Sequence, residues 1–163
     1  MSAPPPGTTV TLHAWNDGDE HAPGAARRAL QGALAELHVT GEPADDVTLA
    51  VGELIANAVE HATGPYVLNL RRTGRDVLCE VHDTSRSLPR PAATEPLHEL
   101  FAPCEEGRGG GLDAISAVLA ERGRGLRIVD ELSGGCWGAR QTRSGKCCWI
   151  AIPASFRGSW GVA

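Results

Sequence analysis

The chain has 163 residues, 42% of them apolar and 21% charged, the composition of one globular domain with a single core. A net charge of −5 at pH 7 argues against direct nucleic-acid binding, which needs basic surface. No apolar run approaches the roughly 20 residues of a membrane-spanning helix, and the N-terminus lacks the basic-then-apolar order of a signal peptide; no membrane partner and a cytoplasmic location are expected. Aromatic residues make up only 4%, so the core must be built from Leu, Val, Ile and Ala. Fourteen of the 15 basic residues are arginine. The five cysteines, Cys79, Cys104, Cys136, Cys147 and Cys148, are odd in number and form no C-x-x-C. Neither a disulfide framework nor a zinc site is indicated, and reduced structural thiols are expected.

Residues 1–8 are Pro-rich and read as a disordered tail. Val10–Trp15 alternates as a first strand. His21–Val39 is a helix, with Pro23 in its first turn and Ala26, Leu30, Ala33, Leu34 and Leu37 at helical spacing. Gly41 stops it. Pro43 and Asp45-Asp46 open a second helix that runs to Ala62, with the acids at the positive end of its dipole.

At about 100° per residue this second helix separates into two sides. Val47, Val51, Leu54, Ile55, Ala58 and Ala62 form the apolar stripe of a half-buried helix. Glu53, Asn57 and Glu60 fall on the other side, and Glu53 and Asn57 stand one turn apart on a shared surface. By itself that is a solvated face. It is also a constellation suited to phosphate chemistry, because the acid can take a proton from a nucleophile and the amide oxygen can ligate Mg²⁺.

Thr63-Gly64-Pro65 ends the helix. Tyr66–Arg72 and Val77–His82 read as strands joined by a hairpin at Thr73-Gly74-Arg75-Asp76. Asp83 closes the second strand. The segment that follows, about 84–122, carries Pro89, Pro91, Pro96, Pro103 and the glycine run 107–111, the composition of a lid, with a short helix over Leu112–Glu121. Gly123-Arg124-Gly125-Leu126 leads into a helix over Arg127–Leu132, whose N-terminal N–H groups favour phosphate. Gly134–Thr142 and Lys146–Pro153 make a final hairpin around Arg143-Ser144-Gly145, and residues 154–163 are a loose tail. The order β-α-α-β-β-lid-α-β-β lacks βαβ alternation. It predicts an α+β two-layer sandwich with helices on one face of a mostly antiparallel mixed sheet.

Three signals follow one another: an acid and an amide on one helix face, an aspartate ending a strand, and a glycine-rich entry into a helix. In that order the chain resembles the GHKL (Bergerat-fold) ATPases, and among them the anti-sigma-factor serine/threonine kinases. The resemblance covers about residues 20–153. Glu53–Ala62 (E-L-I-A-N-A-V-E-H-A) looks like the family's N box, Val81-His82-Asp83-Thr84-Ser85 sits where the adenine-binding motif belongs, and Gly123-Arg124-Gly125-Leu126-Arg127-Ile128-Val129 is similar to the lid motif, with Trp137-Gly138 after it.

The resemblance implies an ATP-binding kinase domain over 9–153. Glu53 would be the general base, Asn57 the Mg²⁺ ligand and Asp83 the acceptor for the adenine amino group. Ser85, Gly123, Arg124, Gly125 and Leu126 would complete the nucleotide site, and ATP and Mg²⁺ are the implied cofactors. The implied partners are a STAS-type anti-sigma-factor antagonist and a sigma factor, and a homodimer is allowed. Ser85 stands where the family has glycine, and the lid is longer than in compact relatives; both favour an alternative, a binding regulator with little or no kinase turnover. A detached histidine-kinase-like ATPase module is the third reading.

Overall fold

The computed structural model describes residues 7–73, 76–89 and 124–152. These form strand β1 (Thr9–Trp15), helices α1 (Ala22–Glu36) and α2 (Glu42–His61), strands β2 (Tyr66–Thr73) and β3 (Asp76–Asp83), helix α3 (Arg124–Leu132), and strands β4 (Trp137–Gln141) and β5 (Lys146–Ile152). The glycine run 107–111, the helix expected over Leu112–Glu121, most of the lid and the C-terminal tail lie outside the described residues. At the other end, Gly7 donates its N–H to the Arg72 carbonyl at 2.9 Å and Thr8 accepts from Arg72 at 3.0 Å, so the pairing with β2 begins before β1.

Several helix boundaries differ from expectation. α1 ends at Glu36 rather than Val39, because His38 adopts φ 57° and the Val39 N–H turns back to the Leu34 carbonyl at 2.9 Å. That is a left-handed cap made without glycine, so no residue type announced it. α2 starts at Glu42, one residue before the expected Pro43, because Gly41 at φ 67° breaks the chain there and Pro43 fits the first turn.

The five strands form one sheet in the order β1-β2-β3-β5-β4, and all four pairings are antiparallel. A register shift between Thr11 and His13 interrupts β1. Alternation along each strand sends Leu68, Leu70, Val77, Cys79, Val81, Cys148, Ile150 and Ile152 into the layer beneath the helices. There they meet Leu30 and Leu34 of α1, Val47, Val51, Leu54, Ile55 and Ala58 of α2, and Leu126 and Val129 of α3. Nearly all of these are aliphatic, as the scarcity of aromatics demanded. Cys79 and Cys148 are the exceptions, and the aromatic Trp15 and Tyr66 join the same core and stack at 5.4 Å. The described cysteines, Cys79, Cys136, Cys147 and Cys148, are all free thiols.

Candidate functional site

α2 packs against α1, α3, β3 and β5, and so occupies the middle of the helical layer. Its buried stripe is the one the periodicity predicts, except that Ala50 joins it and Ala62, the C-cap residue, is only partly buried. Glu53 and Asn57 are half-buried on the other side, about 6 Å apart along the axis. Burial pushes the Glu53 carboxyl above its usual range, and the Arg27 guanidinium on α1 pulls in the opposite direction. Among the described residues, no side chain is hydrogen-bonded to the Asn57 carboxamide.

α3 begins at Arg124, one turn earlier than expected. Gly125 and Leu126 therefore belong to its first turn, where backbone N–H groups have no partner within the helix. Gly125 lies against Glu53: a Cβ built on it would stand 2.8 Å from Glu53 Oε2. The absence of a side chain at Gly125 lets the helix N-terminus come this close to the carboxylate without displacing it. Leu126 is 6% exposed and belongs to the core, so its backbone alone remains for a ligand. Gly123 lies outside the described residues.

Asp83, at the end of β3, is buried. Lys146 Nζ is 2.9 Å from its Oδ1 and 2.8 Å from its Oδ2, and the Ser85 N–H donates to Oδ1 at 2.8 Å. Ser85 thus holds the aspartate through its backbone, while its Oγ accepts from the Ser87 N–H at 3.2 Å. The next residue, Thr84, donates its hydroxyl to the Thr63 carbonyl at 2.7 Å, which ties the end of β3 to the end of α2. Tyr66 is close enough for the Asp83 charge to act on it. Its hydroxyl donates to Asp17 Oδ1 at 2.6 Å, and burial, then Asp17 and Asp83, push its pKa up to about 12.

The structure therefore gathers Glu53, Asn57, Gly125 and Leu126 where α2 meets the start of α3, and places Asp83 and Ser85 at the strand end tied to α2. Three residues of this region were missed. Arg27 is one of many arginines and nothing in its pattern marked it. Gly145 meets Asp83 so closely that a Cβ would collide with the Asp83 carbonyl oxygen and come within 2.6 Å of Thr84 Cα; its place in a turn hid that role. Lys146 carried a signal that went unread. It is the only lysine in the chain, it is 4% exposed, and it follows a hairpin glycine into a strand.

The donor set fits a nucleotide with a hard cation. Asn57 supplies a neutral oxygen, the start of α3 supplies N–H groups for an anion, and Gly125 keeps open the space that a side chain would fill. A carboxylate has about four lone-pair directions, so Asp83 retains capacity for one more donor beside Lys146 and Ser85.

A two-layer α+β domain with a carboxylate and a carboxamide on a central helix, facing a glycine-bearing helix start, is a nucleotide-binding class of protein. A family model, the histidine kinase-like ATPase domain, matches residues 17–152, from just after β1 to the end of β5. The chain belongs to that family of ATP-binding, GHKL-type domains. No curated protein matches it. Among the described residues, no helix is long and apolar enough to cross a membrane.

Proposed function

We propose that the protein is an ATP-dependent protein serine/threonine kinase of the anti-sigma type, which phosphorylates an anti-sigma-factor antagonist and sequesters a sigma factor. The observation that carries this reading is the approach of Gly125 to Glu53. It brings a candidate general base to the helix terminus that would hold phosphates. ATP, when bound, would supply the transferable phosphoryl group, and Asn57 would help hold a Mg²⁺ ion whose charge would offset that of the phosphates. Glu53 takes the proton from the acceptor hydroxyl, aided by burial, which keeps its carboxyl a stronger base than an exposed one. The rest is positioning and charge complementarity. Antagonist and sigma factor would compete for one surface around α2 and α3.

One observation favours the second reading, a regulator that binds partners with little turnover. Lys146 reaches both Asp83 oxygens and, with Ser85, leaves only one lone-pair direction for an adenine amino group. Incubation with γ-labelled ATP, Mg²⁺ and candidate antagonists separates the readings. Label on a protein serine or threonine is expected. ATP binding without transfer to any partner would favour the regulator, and label on histidine the detached histidine-kinase-like module.

A further inference from the structure

The sheet face turned away from the helices carries a group that the nucleotide site does not use. Residues two apart on a strand share a face, so Glu80 and His82 stand together on β3. Cys147 on β5 is the register partner of His82. One ligand atom from each, a carboxylate oxygen, an imidazole nitrogen and a thiol sulfur, lies within 4.8 Å of the others. Glu80 and Cys147 are buried, while the His82 side chain is 27% exposed and opens the group to solvent.

We propose that Glu80, His82 and Cys147 form a binding site for a divalent transition-metal ion of the zinc class, with a fourth position open on the His82 side. The spacing is the first argument. Nitrogen and oxygen ligands about 2.0–2.1 Å from a tetrahedral Zn²⁺ stand about 3.3 Å apart. His82 Nε2 and Glu80 Oε2 are 3.2 Å apart. A thiolate ligand belongs about 3.6 Å from the other two, and the three atoms lie within 4.8 Å, so Cys147 Sγ closes by no more than about 1.2 Å, within reach of a side-chain rotation.

The second argument is how the carboxylate is held. Glu80 Oε1 accepts from Arg71 Nε at 2.6 Å and from Arg140 Nη2 at 3.0 Å. These contacts orient Oε2 towards His82, the kind of outer support that metal-ligating carboxylates use. The third argument is ligand type. A thiol, an imidazole and one carboxylate suit zinc-class ions, whereas Mg²⁺ prefers oxygen alone. This site is therefore chemically distinct from one holding Mg²⁺ at Asn57. Binding releases the Cys147 thiol proton to solvent, and His82 ligates through Nε2 as the neutral imidazole with its proton on Nδ1.

The lack of any C-x-x-C hid the group, because E-x-H and the cysteine come from different strands and only their pairing joins them. The test uses untagged full-length protein, stripped with a chelator and titrated with Co²⁺ and then Zn²⁺. Wild type should bind one equivalent of Co²⁺ with a thiolate-to-cobalt charge-transfer band that Zn²⁺ removes and excess Mg²⁺ does not. Cys147→Ser should lose the band. His82→Ala, at a partly exposed position, should weaken Co²⁺ by roughly tenfold or more. ATP binding measured on both variants reports whether they are folded, since the nucleotide site lies on the other face. Absence of the band in wild type, or its survival in Cys147→Ser, overturns the proposal and leaves a structural ion-pair network.

Discussion

At the residue scale the site turns on two carboxylates with opposite surroundings. Glu53 faces an open helix surface with its charge only partly countered, and Asp83 is clamped by a buried ammonium. Glu53→Gln keeps shape and packing but cannot accept a proton. Phosphoryl transfer to the antagonist should fall by about 10²–10⁴-fold, with ATP affinity nearly unchanged, because proton transfer belongs to the transition state. Transfer at the wild-type rate would remove Glu53 as the base. Asp83→Asn should weaken ATP binding by roughly tenfold or more through a lost charge-assisted hydrogen bond. The structure adds a second cost: Lys146 is left buried without its counter-charge, a change typically worth about 3–5 kcal/mol. Asp83→Asn with Lys146→Met should regain most of that stability in urea unfolding, while ATP affinity, read by calorimetry, stays low. Recovery of both together would mean that Asp83 acts only through Lys146.

At the scale of elements, two glycines set how closely the parts of the site approach. Gly125→Ala adds a methyl group 2.8 Å from Glu53 Oε2, the far end of a side chain that can swing away. Helix propensity favours alanine by about 1 kcal/mol. The thermal midpoint should therefore hold or rise slightly while phosphoryl transfer drops, and unchanged transfer would mean that the α3 terminus is not part of the catalytic geometry. Gly145→Ala is the contrasting case. Its methyl group meets backbone of Asp83 and Thr84, which cannot turn aside, so a loss of several kcal/mol is expected, of the size seen for overpacking and above. A chemical-denaturation midpoint equal to wild type would show that this turn rearranges freely.

For the whole molecule, acid stability is the accessible quantity. Burial alone would raise the Glu80 pKa, but hydrogen bonds from His82, Arg71 and Arg140 outweigh it and bring it to about 2 from 4.5. A carboxylate whose folded value is depressed adds stability above its unfolded value, and that stability is lost as pH falls through the folded one. Wild type should lose stability between pH 4.5 and about 2, measured in chelator to exclude metal. Glu80→Gln should be less stable at neutral pH, and the gap should narrow as pH falls through that window. A gap independent of pH would mean that ionised Glu80 contributes nothing to the fold.

Periodicity and element order were enough to predict the layers. The apolar stripe of α2, the alternation of β2 and β3 and the absence of βαβ units are local signals, and they specify which faces must be covered. The pairing of Glu53 with Asn57 was legible for the same reason, since one helical turn joins them whatever the rest of the chain does. Contacts made across the sequence were not legible. Lys146 meets Asp83 across 63 positions, Gly125 meets Glu53 across two helices, and Cys147 meets His82 across two strands. Each depends on strand register or on how closely two elements pack, which are decided by core filling and sheet pairing together. Local spacing carries no information about them. Tertiary structure thus decided what neutralises Asp83, where α3 begins relative to Glu53, and which residues share the sheet face turned away from the helices.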